Sequence, residues 1–269
     1  MIDAALPYLR CPVCEDTLTR SDARTLRCGR GHAFDIARQG YASLTTGRTT
    51  HPGDSTEMVA ARESFLAAGH YAFVSAALNA AAKPTGGLVV DAGVGTGYYL
   101  ARLLDALPQA FGLGLDLSKA ALRRAARAHP RAAAARADLW RPLPLADASA
   151  SLIVNVFAPR NGAEFRRVLR TDGTLLVVTP AASHLRELID AYGLIQVDPD
   201  KAERVSGSLG AHFAAAATTA HRRTLHLTGE EIRTLVGMTP SAHHVALDGL
   251  PADDAEVTSA VDITVYRPL

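Results

Sequence analysis

One stretch narrows the possible folds more than any other: Val89-Val90-Asp91-Ala92-Gly93-Val94-Gly95-Thr96-Gly97. An apolar strand runs into a glycine-rich turn, and a helix-compatible segment follows from Tyr98. The glycines let the backbone approach a ligand closely, and the helix N-terminus favours a negatively charged group there. From Leu88 onward the pattern repeats, with short apolar strands alternating with helical stretches. Leu88 to Asp91, Phe111 to Asp116, Ala133 to Ala137, Leu152 to Phe157 and Leu175 to Thr179 are predicted strands. Tyr98 to Leu107, Lys119 to Ala128, Ala163 to Leu169 and Ser183 to Ala191 are predicted helices. Such alternation implies an α/β fold, a parallel sheet covered on both faces. The tail reads as a strand over Thr224 to Leu227, a helix over Thr228 to Val236, and a last strand over Val257 to Tyr266 at the antiparallel edge of the sheet. Gly193 to Ala217 has no clear period and reads as an insertion that partly covers the site.

The first segment is of another kind. All three cysteines of the chain fall between Cys11 and Cys28. An odd number cannot pair completely, so the pattern points to metal ligation rather than disulfides. Cys11-x2-Cys14-x13-Cys28-x3-His32 offers four ligands in two short knuckles, a set that suits tetrahedral zinc. Four protein ligands leave no open position, so the metal is structural. With only short strand-like pieces, Ala33 to Ile36 and Tyr41 to Leu44, this segment is too small for an apolar core of its own. Arg20, Arg24, Arg27, Arg30 and Arg38 surround the knuckles against Glu15, Asp16, Asp22 and Asp35, a weak basic excess that fits phosphate and an ordinary solvated surface about equally. Between the module and the glycine turn, Met58, Ala61, Phe65 and Ala68 recur at helical spacing, and Asp54 with Glu57 fits a capping box. Lys83-Pro84 and Gly86-Gly87 break that helix. Residues 1–51 are thus read as a zinc-binding module, 52–85 as a helical linker covering the cofactor site, and 86–269 as the main domain.

A formal net charge of +1 gives no global argument for or against nucleic acid. No leader-like or membrane-spanning apolar stretch is present, which predicts a soluble, cytoplasmic chain with no membrane partner.

The acids at the strand ends select the ligand. Asp91 stands where a pyrophosphate would be repelled, whereas the ammonium of a methionine moiety is well placed beside an acid, so S-adenosylmethionine fits better than a dinucleotide. Asp116 closes the next strand, where its two oxygens suit ribose hydroxyls, and Asp138, followed by Leu139, suits the adenine amino group. Each acid alone is compatible with a cap or a surface loop; together, at the carboxyl ends of successive strands, they make a nucleoside-type site. Asn155 ends the fourth strand, where the methyl group lies, and its amide both accepts and donates; it is the candidate catalytic residue. Phe157 is placed either to stack on a base or to pack in the core, and Asp54 is a reserve acid.

The chain resembles the 23S rRNA guanine-N1 methyltransferases, in particular the Gram-positive branch linked with resistance to tylosin-like macrolides. The marks are the Cys/His ribbon, His51-Pro52-Gly53-Asp54-Ser55, Glu57-Met58, Ala61-Arg62, Phe65-Leu66, Gly69-His70-Tyr71, Gly95-Thr96-Gly97-Tyr98-Tyr99 and Asn155-Val156-Phe157-Ala158-Pro159. The resemblance implies a class I, Rossmann-like methyltransferase domain behind an N-terminal zinc ribbon, cofactor contacts from Tyr71, Gly97, Tyr98 and His184 beside Gly93 and Gly95, a 23S rRNA hairpin as substrate, and a homodimer whose zinc modules help hold the RNA. From the residues alone, Tyr71 and His184 fit half-buried packing as well as ligation. Two other functions remain open at this point: a methyltransferase acting on a small molecule, for which the ribbon is surplus, and a non-catalytic RNA-binding protein, against which the intact Asp91, glycine turn and Asp116 argue.

Overall fold

The computed structural model describes residues 2–47, 53–83, 86–196, 207–246, 249–250 and 253–269. His51-Pro52, Pro84 and the middle of the expected insertion lie outside the described residues. A short helix, α1 (Ile2–Ala5), precedes a small antiparallel sheet of β1 (Leu18–Asp22), β2 (Thr25–Cys28) and β3 (Ala33–Asp35). The main sheet consists of β4 (Ala42–Ser43), β5 (Gly87–Ala92), β6 (Ala110–Asp116), β7 (Ala132–Arg136), β8 (Ala150–Val156), β9 (Leu169–Pro180), β10 (Phe213–Leu227) and β11 (Ala255–Pro268), in the order β10-β11-β9-β8-β5-β6-β7-β4. Pairing from β4 through β9 is parallel, and β11 and β10 run antiparallel. Because β5 pairs with both β6 and β8, the strand order reverses beside it, and the crevice at the carboxyl end of β5 is the switch point where such sheets take ligands.

Both faces of the central strands are dry. Val89, Leu152 and Val154 pack into a layer built by α3 (Ala72–Ala81), α4 (Tyr98–Ala106), α5 (Lys119–Ala125), α7 (Arg186–Tyr192) and α8 (Gly229–Gly237). Leu88, Val90, Leu113 and Ile153, one step out of phase, pack into the opposite layer with Phe165 of α6 (Gly162–Val168). The cysteine-bearing segment supplies the rest of that second layer. Leu9, Leu18, Leu26, Phe34 and Ile36 share it with Leu113 and Ala133. Its backbone is tied on as well: Arg10 N–H donates to Pro144 O at 3.0 Å, Ala146 N–H donates to Tyr8 O at 2.8 Å, and β4 extends the main sheet beyond β7. The segment therefore uses the sheet as its core.

Four sequence expectations change. The helix after residue 52 is two helices, α2 (Thr56–Ala67) and α3, separated at Gly69, whose φ of 86° no β-carbon residue adopts cheaply. Its N-cap is Ser55, which accepts from Met58 N–H at 3.2 Å; Asp54 is turned instead to Arg62. Residues 213–217 of the expected insertion belong to β10, a strand nearly four times as long as predicted, because its first part is exposed on both sides and carries no apolar alternation. The last strand is interior, between β9 and β10, and β10 forms the edge.

The carbonyls at the end of α4 are collected by one side chain. Arg131 donates to Leu107 O at 2.9 Å and also to Leu104 O and to Ala110 O at the start of β6, adding charged donors at a helix terminus where Leu104 O and Leu107 O each also accept one backbone N–H. Arg131→Met keeps the apolar stem and removes these charged donors, and is expected to lower the unfolding free energy by about 2–4 kcal/mol in urea denaturation; an unchanged midpoint would show that water replaces the guanidinium.

Candidate active site and metal centre

In the metal centre, the ligand atoms of Cys11, Cys14, Cys28 and His32 all lie within 4.8 Å of one another. Cys14 Sγ is 3.6 Å from Cys28 Sγ, and His32 Nδ1 is 3.6 Å from Cys11 Sγ and 3.3 Å from Cys28 Sγ. Zinc–ligand bonds of about 2.0–2.3 Å in a tetrahedron require edges of about 3.5–3.8 Å, and a disulfide requires about 2 Å, so the quartet has the dimensions of a zinc cage. The knuckles are shaped by Glu15 and Gly31, both at positive φ, with Glu15 N–H donating to Cys11 O and Gly31 N–H to Cys28 O. The site residues named from sequence for the metal are brought together.

At the switch point, the glycine turn follows β5 directly. Gly93 and Gly97 have φ of 93° and 87°. A β-carbon on Gly93 would overlap Ala158 Cβ, and one on Gly97 would stand 2.6 Å from Ala128 Cβ. Only glycine allows the turn to lie between those two segments. Gly95, at φ 52°, donates its N–H to Asp116 Oδ2 at 2.9 Å, and Ser118 N–H donates to Asp116 Oδ1 at 2.8 Å. Each Asp116 oxygen is thus engaged once by backbone and keeps lone-pair capacity for a ribose hydroxyl. Asp91 is buried, and its Oδ1 has no partner among the described residues. Burial, reinforced by the Asp116 carboxylate, pushes the Asp91 pKa up to about 8. An unpaired buried carboxyl is costly, and a ligand ammonium is the group that removes the cost. Asp138 is buried too and accepts Trp140 N–H at 3.0 Å, while Leu139 closes against Gly93. The donor set fits S-adenosylmethionine.

Across the crevice stands an aromatic group. His184 Nδ1 accepts Ala260 N–H at 3.1 Å, so the neutral ring carries its proton on Nε2, 3.4 Å from Tyr71 Oη. Burial holds the His184 pKa down to about 4. His184 precedes α7, which begins only at Arg186, and is buried rather than a surface residue of its first turn. Phe157 lies over His184, with ring centroids 6.0 Å apart and planes inclined by 29°. It is 41% exposed, and its φ of 51° lies in the left-handed region, unusual for a bulky side chain. Asn155, fully buried, donates both amide hydrogens to backbone, to Ala92 O at 2.8 Å and Pro159 O at 2.9 Å. Its expected donor role toward a substrate is therefore absent, and only Oδ1, which has no partner among the described residues, remains.

Residues 9–45 match the family model described as RlmA, N-terminal, a zinc ribbon, and residues 89–173 match a methyltransferase domain. A protein of Streptomyces fradiae named 23S rRNA (guanine(748)-N(1))-methyltransferase is 49% identical, covering 97% of both chains. A relative in Micromonospora griseorubida, named for guanine-N1 methylation of 23S rRNA, is 57% identical over 98% of both. The chain belongs to the 23S rRNA (guanine-N1)-methyltransferase family. A solved Haloferax volcanii complex of the Trm112 methyltransferase activator with a methyltransferase aligns with a TM-score of 0.52 at 18% identity, over 81% of this chain and 99% of that one, and shares the fold. As a member of the family the chain is a class I methyltransferase that uses S-adenosylmethionine and carries zinc in its ribbon. No helix among the described residues is long and apolar enough to cross a membrane.

Two site residues escaped the sequence reading. Tyr99 has a buried hydroxyl without a partner among the described residues, and its pKa is pushed well up by burial, with Tyr71, Tyr98 and Asp91 acting in the same direction and Arg62 against it. Tyr98, the expected contact, also has an unpartnered buried hydroxyl, and its ring lies under Arg102 at 3.8 Å. Adjacent helix positions point about 100° apart, so the Tyr98-Tyr99 pair was a signal without a direction. Arg62 was the other.

Removal of zinc by a chelator is expected to lower the thermal midpoint of the whole chain by more than about 5 °C in one transition, because the ribbon completes a core layer of the main sheet. Calorimetry checks this; a separate early transition with the main one unmoved would refute it. The raised Asp91 pKa carries a second expectation. Below pH 8 the free carboxyl is mostly protonated, and pairing with an ammonium requires its ionised form. Cofactor binding should release a proton and tighten between about pH 6 and 7.5, by up to about tenfold per unit. Titration calorimetry in buffers of different ionisation enthalpy measures the release, and Asp91→Asn should abolish it.

Proposed function

We propose that this chain transfers a methyl group from S-adenosylmethionine to N1 of a guanine in a 23S rRNA hairpin, the guanine corresponding to position 748 named for the Streptomyces fradiae relative. The observation that carries the reading is Phe157, an exposed ring in a left-handed backbone conformation at the end of β8, braced by His184 beside the cofactor crevice. A splayed-out base from a single-stranded loop needs a stacking platform of this kind.

When bound, S-adenosylmethionine supplies a methyl group on a positive sulfur, ready for in-line displacement. In this proposal Asp91 holds its ammonium, Asp116 its ribose and Asp138 with Leu139 its adenine, while Gly93, Gly95, Gly97, Tyr98, Tyr71 and His184 shape the wall around it. Asn155 acts as a positioning residue. By joining Ala92 O to Pro159 O it locks the Phe157 turn against the glycine turn, and Oδ1 is left as an acceptor toward the edge of the base. Phe157 holds the ring plane so that N1 meets the methyl group. The N1 proton passes to solvent water before or during attack, since neutral N1 has no lone pair to offer. The basic ribbon gives the rRNA backbone a second point of contact, and a homodimer places two ribbons on one substrate.

Methylated N1 cannot form its Watson–Crick pair, so reverse transcriptase should stop beside that guanine in rRNA from cells expressing this chain in a host without its own enzyme. No stop and no N1-methylguanosine, with methylation of a small metabolite by the purified protein, would reverse the reading. Phe157→Ala is expected to lower kcat/KM for rRNA by about 5- to 100-fold, the worth of a base–aromatic stack, and to leave cofactor affinity within about twofold.

A further inference from the structure

The cofactor crevice is crowded with acids. Asp91, Asp116 and Asp54 all bear on it: burial first, and then the Asp116 carboxylate, pushes the Asp91 pKa up, and burial first, with the Asp54 carboxylate adding to it, pushes the Asp116 pKa up. The methionine end of S-adenosylmethionine is a zwitterion. Its ammonium suits Asp91, but its carboxylate, next to that ammonium, needs a cation among these acids.

Arg62 is in place for it. The side chain reaches from α2 to the glycine turn, with Cδ and Nη1 3.7 and 3.8 Å from the position a β-carbon on Gly95 would take. Its field reaches Asp116 and Tyr99, groups that face the turn. Nη1 pairs with Asp54, and Nη2 donates to Met238 O at 2.8 Å. A guanidinium has five N–H donors, so these two bonds aim it, and no further bond from it is made among the described residues. Asp54 is itself fixed, since its carbonyl accepts from Ser118 Oγ at 2.7 Å, and Ser118 N–H is bonded to Asp116. The chain Asp116–Ser118–Asp54–Arg62 thus links the ribose acid to the cation.

We propose that Arg62 anchors the carboxylate of the cofactor's methionine end and that Asp54 holds its guanidinium over Gly95 before the cofactor arrives. The inference rests on the S-adenosylmethionine reading of the crevice. It gives the pair Asp54 and Arg62 a part in binding that helix capping and surface pairing do not.

The test compares two ligands that differ by one group. Titration calorimetry of the full-length, zinc-loaded protein uses S-adenosylhomocysteine and its decarboxylated analogue, which keeps the amine. Arg62→Met is expected to weaken S-adenosylhomocysteine about 10- to 100-fold, as loss of a charged hydrogen bond does, and to leave the decarboxylated analogue within about twofold of wild type. Equal losses for both ligands would make Arg62 a scaffold residue and overturn the proposal, as would no loss for either. Should Arg62→Met fail to fold, Arg62→Lys carries the same comparison: it keeps the charge and loses the fork, so S-adenosylhomocysteine weakens about three- to tenfold while the analogue does not. Failure of wild type to bind either ligand would sink the cofactor reading itself, and the Arg62 assignment with it.

Discussion

A parallel sheet is stable only when both of its faces are shielded from water, because its strands carry apolar side chains on either side. Here one face is covered by helices and the other depends on a segment that cannot fold unaided. Leu9, Leu26 and Leu44 are essentially inaccessible, and each contributes about 1.5–3 kcal/mol on burial against the sheet. They are held there by a loop network whose geometry is fixed at Cys11, Cys14, Cys28 and His32. The quartet therefore does more than staple its own loops. It shapes the segment that completes the layer against which β5, β6 and β7 are stacked, behind the strand ends that carry Asp91, Asp116 and Asp138.

Those strand ends impose the second constraint. Acids converge where backbone approaches backbone most closely, and the approach exists because Gly93 and Gly97 leave no β-carbon to collide with Ala158 and Ala128. Asp116 is satisfied by two backbone N–H groups, whereas one oxygen of Asp91 has no partner among the described residues. Asp91 is fully buried and Asp116 only partly so, and the two carboxyls do different work. One is wired into the turn and shapes it. The other is held at the expense of stability until a cation arrives, which is the usual signature of a binding residue.

The parts of this arrangement that were legible in the sequence are those where period and punctuation coincide. The central strands and α4, α5 and α8 follow from two-residue and helical periods, and the Cys/His and glycine motifs fix their ligands by spacing. What was not legible depends on which side of an element faces water or on choices between neighbours. Residues 213–217 are Phe213 followed by four alanines on an edge strand, and with Ala214 to Ala217 exposed on both sides they show no alternation to read. Asp54 and Ser55 are both good caps; only the fold shows that Ser55 caps while Asp54 is taken by Arg62. Tyr99 and Arg62 join the site through tertiary approach, which no local pattern records. The joining of the ribbon to the main sheet was hidden for the same reason, since β4 contributes two residues and its partner lies about ninety positions away.

Phe157 shows how sequence, strain and function meet at the fourth strand end. A phenylalanine at positive φ costs roughly 1–3 kcal/mol and persists only where its surroundings over-determine it. They do so here. Asn155 bonds Ala92 O at the end of β5 and Pro159 O beyond the turn, Phe157 N–H donates to Val178 O, and Ala158 fills the space that Gly93 leaves. An ordinary β-strand exit would direct the ring into one of the two buried layers. The strained exit instead lays it over His184 with two-fifths of its surface open. The same hydrogen bonds that engage both amide hydrogens of Asn155 thus hold the turn that leaves the ring exposed.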